Sequence, residues 1–513
     1  MRGEEEVNLT KFFFEKTTLV PDKPALVFEE ATYTYSDVAE AVKQYANLLA
    51  RLGVKKGDRV ALQLPNCAEF VFLHLANLSL GAITLPLNTG YRPEEINYFL
   101  DDSGSSIFVA DDEKFIPDIS GQKSNGKVQT IIRKGNSANS LQALLKESQK
   151  SGDTVPDYPT QADDVALLCY TSGTTGKPKG AMITHRNLIT NAVALQKVWK
   201  WTENDILLNV LPMFHIHGLC VALHGALNAG STIIIHEKFE PKKCIETIGK
   251  QKCTMFMAVP TIYYRLMEVW PELNPDLSSM RVFISGSAPL SEELFERFYS
   301  ATGFRILERY GMTETQIIAS NPYEEERRKS KSVGYALPGI QIRIASASGV
   351  DVKPGEIGEV LVKGENVFKG YWQMPKKTRD SFLGEWFRTG DLGYQDEKDE
   401  MRLYLVGRSK ELIISGGYNV YPKEVEDVIN QHSAVEESAV VGISDREYGE
   451  KVVAAVVLKE KQPAAFEDTL IKFCKGKLAS YKCPKKIVFL DKLPRNALGK
   501  IQKHLIIEGF PKG

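Results

Sequence analysis

Residues 165–180 read VALLCYTSGTTGKPKG. The opening VALLCY is an apolar, strand-like run, and the stretch Thr171–Gly180 that follows leads into a helix-like segment. Between them stand Gly173, Gly176 and Gly180, the hydroxyls of Thr171, Ser172, Thr174 and Thr175, and the ammonium groups of Lys177 and Lys179. Glycines let backbone N–H groups turn toward an anion, hydroxyls donate to phosphate oxygens, and lysines supply charge, so the stretch reads as a phosphate cradle. It is not a Walker A loop, because two residues separate Gly173 from Gly176. Composition alone would suit a linker equally well. The position at a strand-to-helix junction inside an α/β core favours the cradle.

On both sides of this stretch the chain alternates helix-like and strand-like segments. From about 35 to 110, SDVAEAVKQYANLLARLG is followed by RVALQLP and AITLPLN; between 163 and 310, ILLNVLP, STIIIH, TMFMAVP and RVFISG read as further buried strands. Uninterrupted apolar runs between helices imply a doubly wound α/β region with a parallel sheet. Residues 118–160 and the charge cluster YEEERRKSKS at 323–332 read as solvated loops. After 340 the texture becomes short strands with turn residues, giving a β-rich subdomain over about 340–409 that closes a large N-terminal domain, 1–409. Alternation then restarts over 410–513, enough residues for a small C-terminal α/β domain.

The 513 residues carry 64 Lys plus Arg against 65 Asp plus Glu, a net charge of -1, which argues against nucleic acid as a partner. Hydrophobic residues at 43% and charged ones at 25% are globular values and exclude a disordered or fibrous chain. No apolar stretch reaches the ~18 residues of a membrane span, and the acidic start MRGEEE is unlike a signal peptide, so a cytoplasmic location is expected. Seven scattered cysteines without a Cys-x-x-Cys pair imply neither a zinc site nor a disulfide framework.

Four further motifs follow the cradle in order: Tyr310-Gly311-Met312-Thr313-Glu314, Thr389-Gly390-Asp391, Gly407-Arg408, and Pro494-Arg495-Asn496 through Gly499-Lys500. With the cradle they resemble, in register over nearly the whole chain, the AMP-forming acyl-CoA synthetases, the adenylate-forming ligases. The resemblance implies that a carboxylate reacts with ATP to give an acyl-adenylate and pyrophosphate, and that CoA then takes the acyl group. Joining two anions requires a held triphosphate, a metal ion and in-line orientation. By resemblance Thr171, Ser172, Gly173, Thr174, Thr175, Gly176 and Lys179 bind phosphates, Tyr310 stacks on adenine, Thr313 meets the α-phosphate, and Glu314 holds Mg2+. Asp391 and Arg408 hold the ribose, although each also suits a salt bridge. Lys500 bridges acid and ATP during adenylation. Lys410 is the implied hinge of a mobile small domain, and Gly416 and Gly417 line the CoA passage.

The family's acid pocket falls on LPMFHIHGL, VPTIYYRLM, ISGSAPL and LERYGMTET. Ile262, Leu266 and Val269 form an apolar stripe with Arg265 at its edge, where a charge would be costly without an anion. Arg309 occupies a position that fatty-acid members commonly leave to Gly, and Ser287 adds a hydroxyl. His215 resembles the gate beside the acid, while His217 is assigned packing. Two arginines and a serine suit a second carboxylate and resemble the malonate-activating branch of the family. Medium- and long-chain fatty acids remain the alternative. Amino acids are disfavoured because His215, not Asp, follows Phe214. A carrier-protein thiol as acceptor, a catalytically silent nucleotide-binding protein, and a monomer or a homodimer all stay open at this stage.

Overall fold

The uninterrupted apolar runs become parallel strands. The computed structural model describes residues 8–112, 128–135, 137–149, 159–171, 178–273, 275–415, 418–445, 448–460, 466–496 and 500–510. Two compact units emerge: residues 1–330, 334–341 and 363–387 form the first, and 331–333, 342–362 and 388–513 the second. This division by compactness runs through the β-rich region. It groups residues 342–362 and 388–409 with 410–513, whereas the sequence texture places them with the N-terminal domain.

In the first unit a sheet runs in the order Gln316–Ser320, Leu307–Met312, Val282–Ser285, Met255–Ala258, Ile206–Asn209, Thr232–Ile235, Pro24–Phe28 and Ala31–Thr34. Its interior pairs are parallel, and the pairs at its two ends are antiparallel. Met255–Ala258, Val282–Ser285 and Thr232–Ile235 are buried throughout, which is why their sequences show no polar alternation. Behind them the helix Pro260–Leu273 sinks Tyr263, Leu266, Met267 and Trp270 into a core with Phe256, Phe283 and Phe298. Each such side chain contributes about 1.5–3 kcal/mol on burial.

A second sheet of the same unit orders Gly370–Tyr371, Lys179–Thr184, Val165–Thr171, Ile83–Pro86, Arg59–Gln63, Ile107–Ala110 and Gln129–Ile132. The cradle therefore joins two antiparallel strands, Thr171 facing Lys179, and the expected helix begins only at His185. Thr184 ends the strand and caps that helix: its side chain accepts from Asn187 N while Asn187 Oδ1 accepts from Thr184 N. The loop expected over 118–160 contains the strand Gln129–Ile132 and the helix Leu141–Gln149. The charge cluster at 323–332 is not wholly solvated either. Arg328 is buried and donates to the carbonyls of Arg305, Pro322 and Tyr323, backbone acceptors that no charge pattern reveals.

The second unit holds most of the strands Gln341–Ala345, Gly358–Lys363, Trp386–Asp396 and Arg402–Arg408, adjacent in that order. Its C-terminal part is a sheet ordered Tyr418–Val420, Ile413–Ser415, Gly449–Leu458 and Val435–Asp445, with Lys486–Phe489 also on Gly449–Leu458. Helices Pro422–Ile429 and Phe466–Lys475 cover it through Val425, Ile429, Leu470 and Cys474. All seven cysteines are free and buried. Among the described residues no helix is long and apolar enough to cross a membrane.

Candidate active site

In an open parallel sheet, ligands collect beyond the carboxyl ends of the strands. Here the segments leaving Ile206–Asn209 and Val282–Ser285 carry His215, His217 and Ser287, and the adjacent strand Leu307–Met312 carries Arg309. These groups form one cluster.

Arg309 is 3% exposed, and its Nε and Nη2 have no hydrogen-bond partner. Desolvation pushes its guanidinium down to about 9. The guanidinium lies across Gly286, where a Cβ would stand 2.5 Å from its Cζ. Beside it, His217 begins a π-helical turn, His217–Leu223, and is 2% exposed. Burial, then Arg309, then His215 hold its pKa well below the ordinary histidine value, so it is neutral. His217 Nδ1 lies 3.2 Å from Ser287 Oγ, while Nε2 has no partner. Ser287 is held at φ 68, a left-handed conformation that a serine adopts only under constraint from its surroundings. His215 is half-buried, and its Nδ1 accepts from His217 N at 3.2 Å. A buried cation with unused donors beside a neutral imidazole and a hydroxyl is suited to receive an anion.

His217 is therefore both packed and hydrogen-bonded to Ser287. Its signal was the spacing His215-Ile216-His217, which alone does not separate a ligand from a core side chain. Arg265 departs from the expectation: it is exposed. The buried face of its helix is set by Tyr263, Leu266, Met267 and Trp270, with Ile262 and Val269 only partly buried, so the stripe is rotated and the desolvation argument for Arg265 does not hold.

The motif Tyr310–Glu314 lies on a tight hairpin. Gly311 is required there, because a Cβ would stand 1.8 Å from the Gln316 carbonyl oxygen. Tyr310 is buried, Thr313 half-buried, and Glu314 buried. Glu314 Oε1 accepts a 2.9 Å hydrogen bond from Tyr371 Oη, and its carbonyl accepts from Phe368 N at 2.8 Å. Lys179 Nζ stands 5.0 Å from the centroid of the Tyr371 ring. Ser172, Gly173, Thr174, Thr175 and Gly176, with Gly416 and Gly417, lie outside the described residues. Among the described residues no group of three or more His, Cys, Asp or Glu is placed to hold a metal. Glu314 as a lone acid therefore suits Mg2+ only where phosphate oxygens and water complete the shell, which is this ion's habit.

In the second unit Asp391 faces Arg408 across an antiparallel pair, with Arg408 Nε 3.2 Å from Asp391 Oδ1, so the two candidate ribose groups form an ion pair. Asp391 N donates to Thr389 Oγ1, which itself donates to the Val360 carbonyl. Lys410 is exposed in a short 3-10 turn, Ser409–Glu411. Directly after it, Glu411 accepts from Lys503 Nζ at 3.0 Å, and the same ammonium reaches Glu426 at 2.8 Å. Lys500 is half-buried; its N–H donates to Asn496 Oδ1, and Asn496 N–H to its carbonyl.

Residues 13–372 match the family described as AMP-binding enzyme, and residues 424–500 match the AMP-binding enzyme C-terminal domain. The chain is 34% identical to a long-chain-fatty-acid–CoA ligase of Bacillus subtilis, over 95% of this chain and 92% of that protein. To an oxalate–CoA ligase of Arabidopsis thaliana it is 35% identical, over 96% of each. The crystal structure of ATP-bound MatB from Rhodopseudomonas palustris superposes with a TM-score of 0.89 at 38% identity, covering 98% of both chains.

Proposed function

The chain belongs to the AMP-binding enzyme family, and on that premise we propose that the acid it activates is a small dicarboxylate, malonate first among them. The chain is an acyl-CoA ligase of the AMP-forming kind, using ATP, Mg2+ and CoA. In the first half-reaction a carboxylate oxygen attacks the α-phosphorus of ATP and pyrophosphate leaves. In the second, the CoA thiol attacks the acyl carbon of the adenylate and AMP leaves.

The buried, underused guanidinium of Arg309 carries the proposal. An apolar acyl chain would leave its donors unmet, at a penalty of ~1–3 kcal/mol or more for each buried charged group. A second carboxylate would satisfy them, with Ser287 and the neutral His217 completing the contact and His215 at the entrance. Arg265, being exposed, would act from the rim. Relatives of comparable similarity are named for oxalate and for long-chain fatty acids, so similarity by itself does not select the acid.

For the adenylation step, Thr171, Ser172, Gly173, Thr174, Thr175, Gly176, Lys179 and Thr313 would hold phosphates, Tyr310 the adenine, and Asp391 with Arg408 the ribose. Glu314 would hold Mg2+, whose charge offsets that of the phosphates. Lys500 would stabilise charge on the reacting oxygens. Lys410 would be the hinge of the C-terminal domain, and Gly416 and Gly417 would flank the pantetheine. The test is pyrophosphate release with malonate, methylmalonate, acetate, octanoate and palmitate. Malonate should give the highest kcat/KM; a preference for octanoate or palmitate would favour the fatty-acid reading instead.

A further inference from the structure

One short segment touches both nucleotide motifs of the first unit. Residues Gly370–Tyr371 pair antiparallel with Lys179–Thr184, the strand that leaves the cradle, in the register Gly370↔Met182 and Tyr371↔Ala181. Lys369 N and Trp372 N donate to the carbonyls of Met182 and Gly180. The same segment grips the metal-acid hairpin: Phe368 N donates to the Glu314 carbonyl, and Asn366 Nδ2 to the Thr315 carbonyl at 2.7 Å. Between these grips stands Tyr371, buried among Ala181, Phe368 and Phe387, with its hydroxyl on Glu314 Oε1.

We propose that Tyr371 is a positioning residue for the metal-binding carboxylate of Glu314. A buried carboxylate needs a donor to fix its rotamer. A lysine or arginine in that role would neutralise the charge a cation is meant to use, whereas a phenol donates without adding charge. A phenol, with an ordinary pKa of about 10, is protonated at neutral pH and so donates to the carboxylate. Its donation occupies only Oε1, so Oε2 would be the oxygen left to hold a cation. The ring also faces the Lys179 ammonium, so one side chain ties the orientation of the carboxylate to the stem of the phosphate loop. This inference rests on the reading of Glu314 as the Mg2+ acid.

The test compares wild type, Tyr371→Phe, Glu314→Gln and the double variant. Mn2+ affinity is measured by electron paramagnetic resonance of free Mn2+ in the presence of a non-hydrolysable ATP analogue, alongside the Mg2+ dependence of pyrophosphate release. Tyr371→Phe should weaken Mn2+ binding and raise half-saturating Mg2+ by about 10-fold, in line with a hydrogen bond to a charged group, with the KM for the acid within about twofold. On the Glu314→Gln background the same change should add little, because the phenol acts through the carboxylate. If Glu314→Gln weakens Mn2+ binding and Tyr371→Phe leaves it unchanged, Tyr371 is packing only and the inference fails. If Glu314→Gln itself leaves Mn2+ binding intact, the reading of Glu314 fails first. Should Tyr371→Phe not fold, Glu314→Asp, which shortens the acid away from the phenol, is expected to show the same loss of metal affinity; unchanged affinity there would overturn the proposal.

Discussion

Gly286 gives Arg309 its place: a Cβ on the glycine would stand 2.5 Å from both Cζ and Nε of the arginine. The guanidinium is the end of a flexible chain, so Gly286→Ala can be absorbed by displacing it. The fold is expected to survive and the acid site to suffer. kcat/KM for malonate should fall at least ~10-fold, the scale of one charged hydrogen bond, while the KM for ATP stays near wild type. Equal malonate kinetics in the two proteins would mean that the position of Arg309 is irrelevant to the acid.

Removing the cation altogether tests the same site from the other side. Arg309→Gly should lower malonate-dependent pyrophosphate release ~100-fold, the range for a truncated partner of a desolvated charge pair, and longer monocarboxylic acids should gain. Arg265→Ala should have the smaller effect because Arg265 is exposed. Malonate turnover that persists in both variants would rule out the dicarboxylate assignment.

Lys500→Ala should separate the two half-reactions. Adenylation is expected to lose ~10²–10³ in rate, as when one preorganised donor to a developing charge is removed. Conversion of a supplied acyl-adenylate to thioester should change little. A uniform loss in both steps would point to a folding defect.

Acid should destabilise the first unit through histidines outside the acid cluster. His74 Nε2 and His224 Nε2 are 2.8 Å apart, and His74 Nδ1 is 3.0 Å from Thr84 Oγ1. Burial lowers His224 to about 3 and His185 to about 4, from 6.5. The unfolded chain therefore binds more protons than the native one once the pH falls below 6.5, and stability declines until the folded values are reached. Between pH 6.5 and 5 each of these two histidines should remove about 2 kcal/mol. Urea titrations across that range should show the decline, and His224→Leu should shallow its slope by about one proton. A slope unchanged by the substitution would exclude His224 as a source.

The sequence revealed the parallel strands because burial on both faces leaves an unmistakable apolar run, as in Thr232–Ile235 and Met255–Ala258. It revealed Arg309 through its neighbour Tyr310 in a motif. The helix after Pro260 was less legible. Leu266 belongs to both the expected and the observed buried face, yet the remaining members are Tyr263, Met267 and Trp270, and that rotation carries Arg265 into solvent. Tyr371 was invisible for another reason: its partner Glu314 is 57 residues away, and only the crossing of Gly370–Tyr371 onto the cradle's strand brings them together. Local patterns encode which face is buried. They do not encode which distant carboxylate a tyrosine will meet.

Lys503 holds Glu411 and Glu426 at once, and Glu411 is the residue directly after Lys410. The turn Ser409–Glu411 and the helix Pro422–Ile429 are thereby tied together through one ammonium, three positions from Lys500 in sequence. On the proposed hinge at Lys410, a twist made there would carry Lys500 with it, as on a stiff crank.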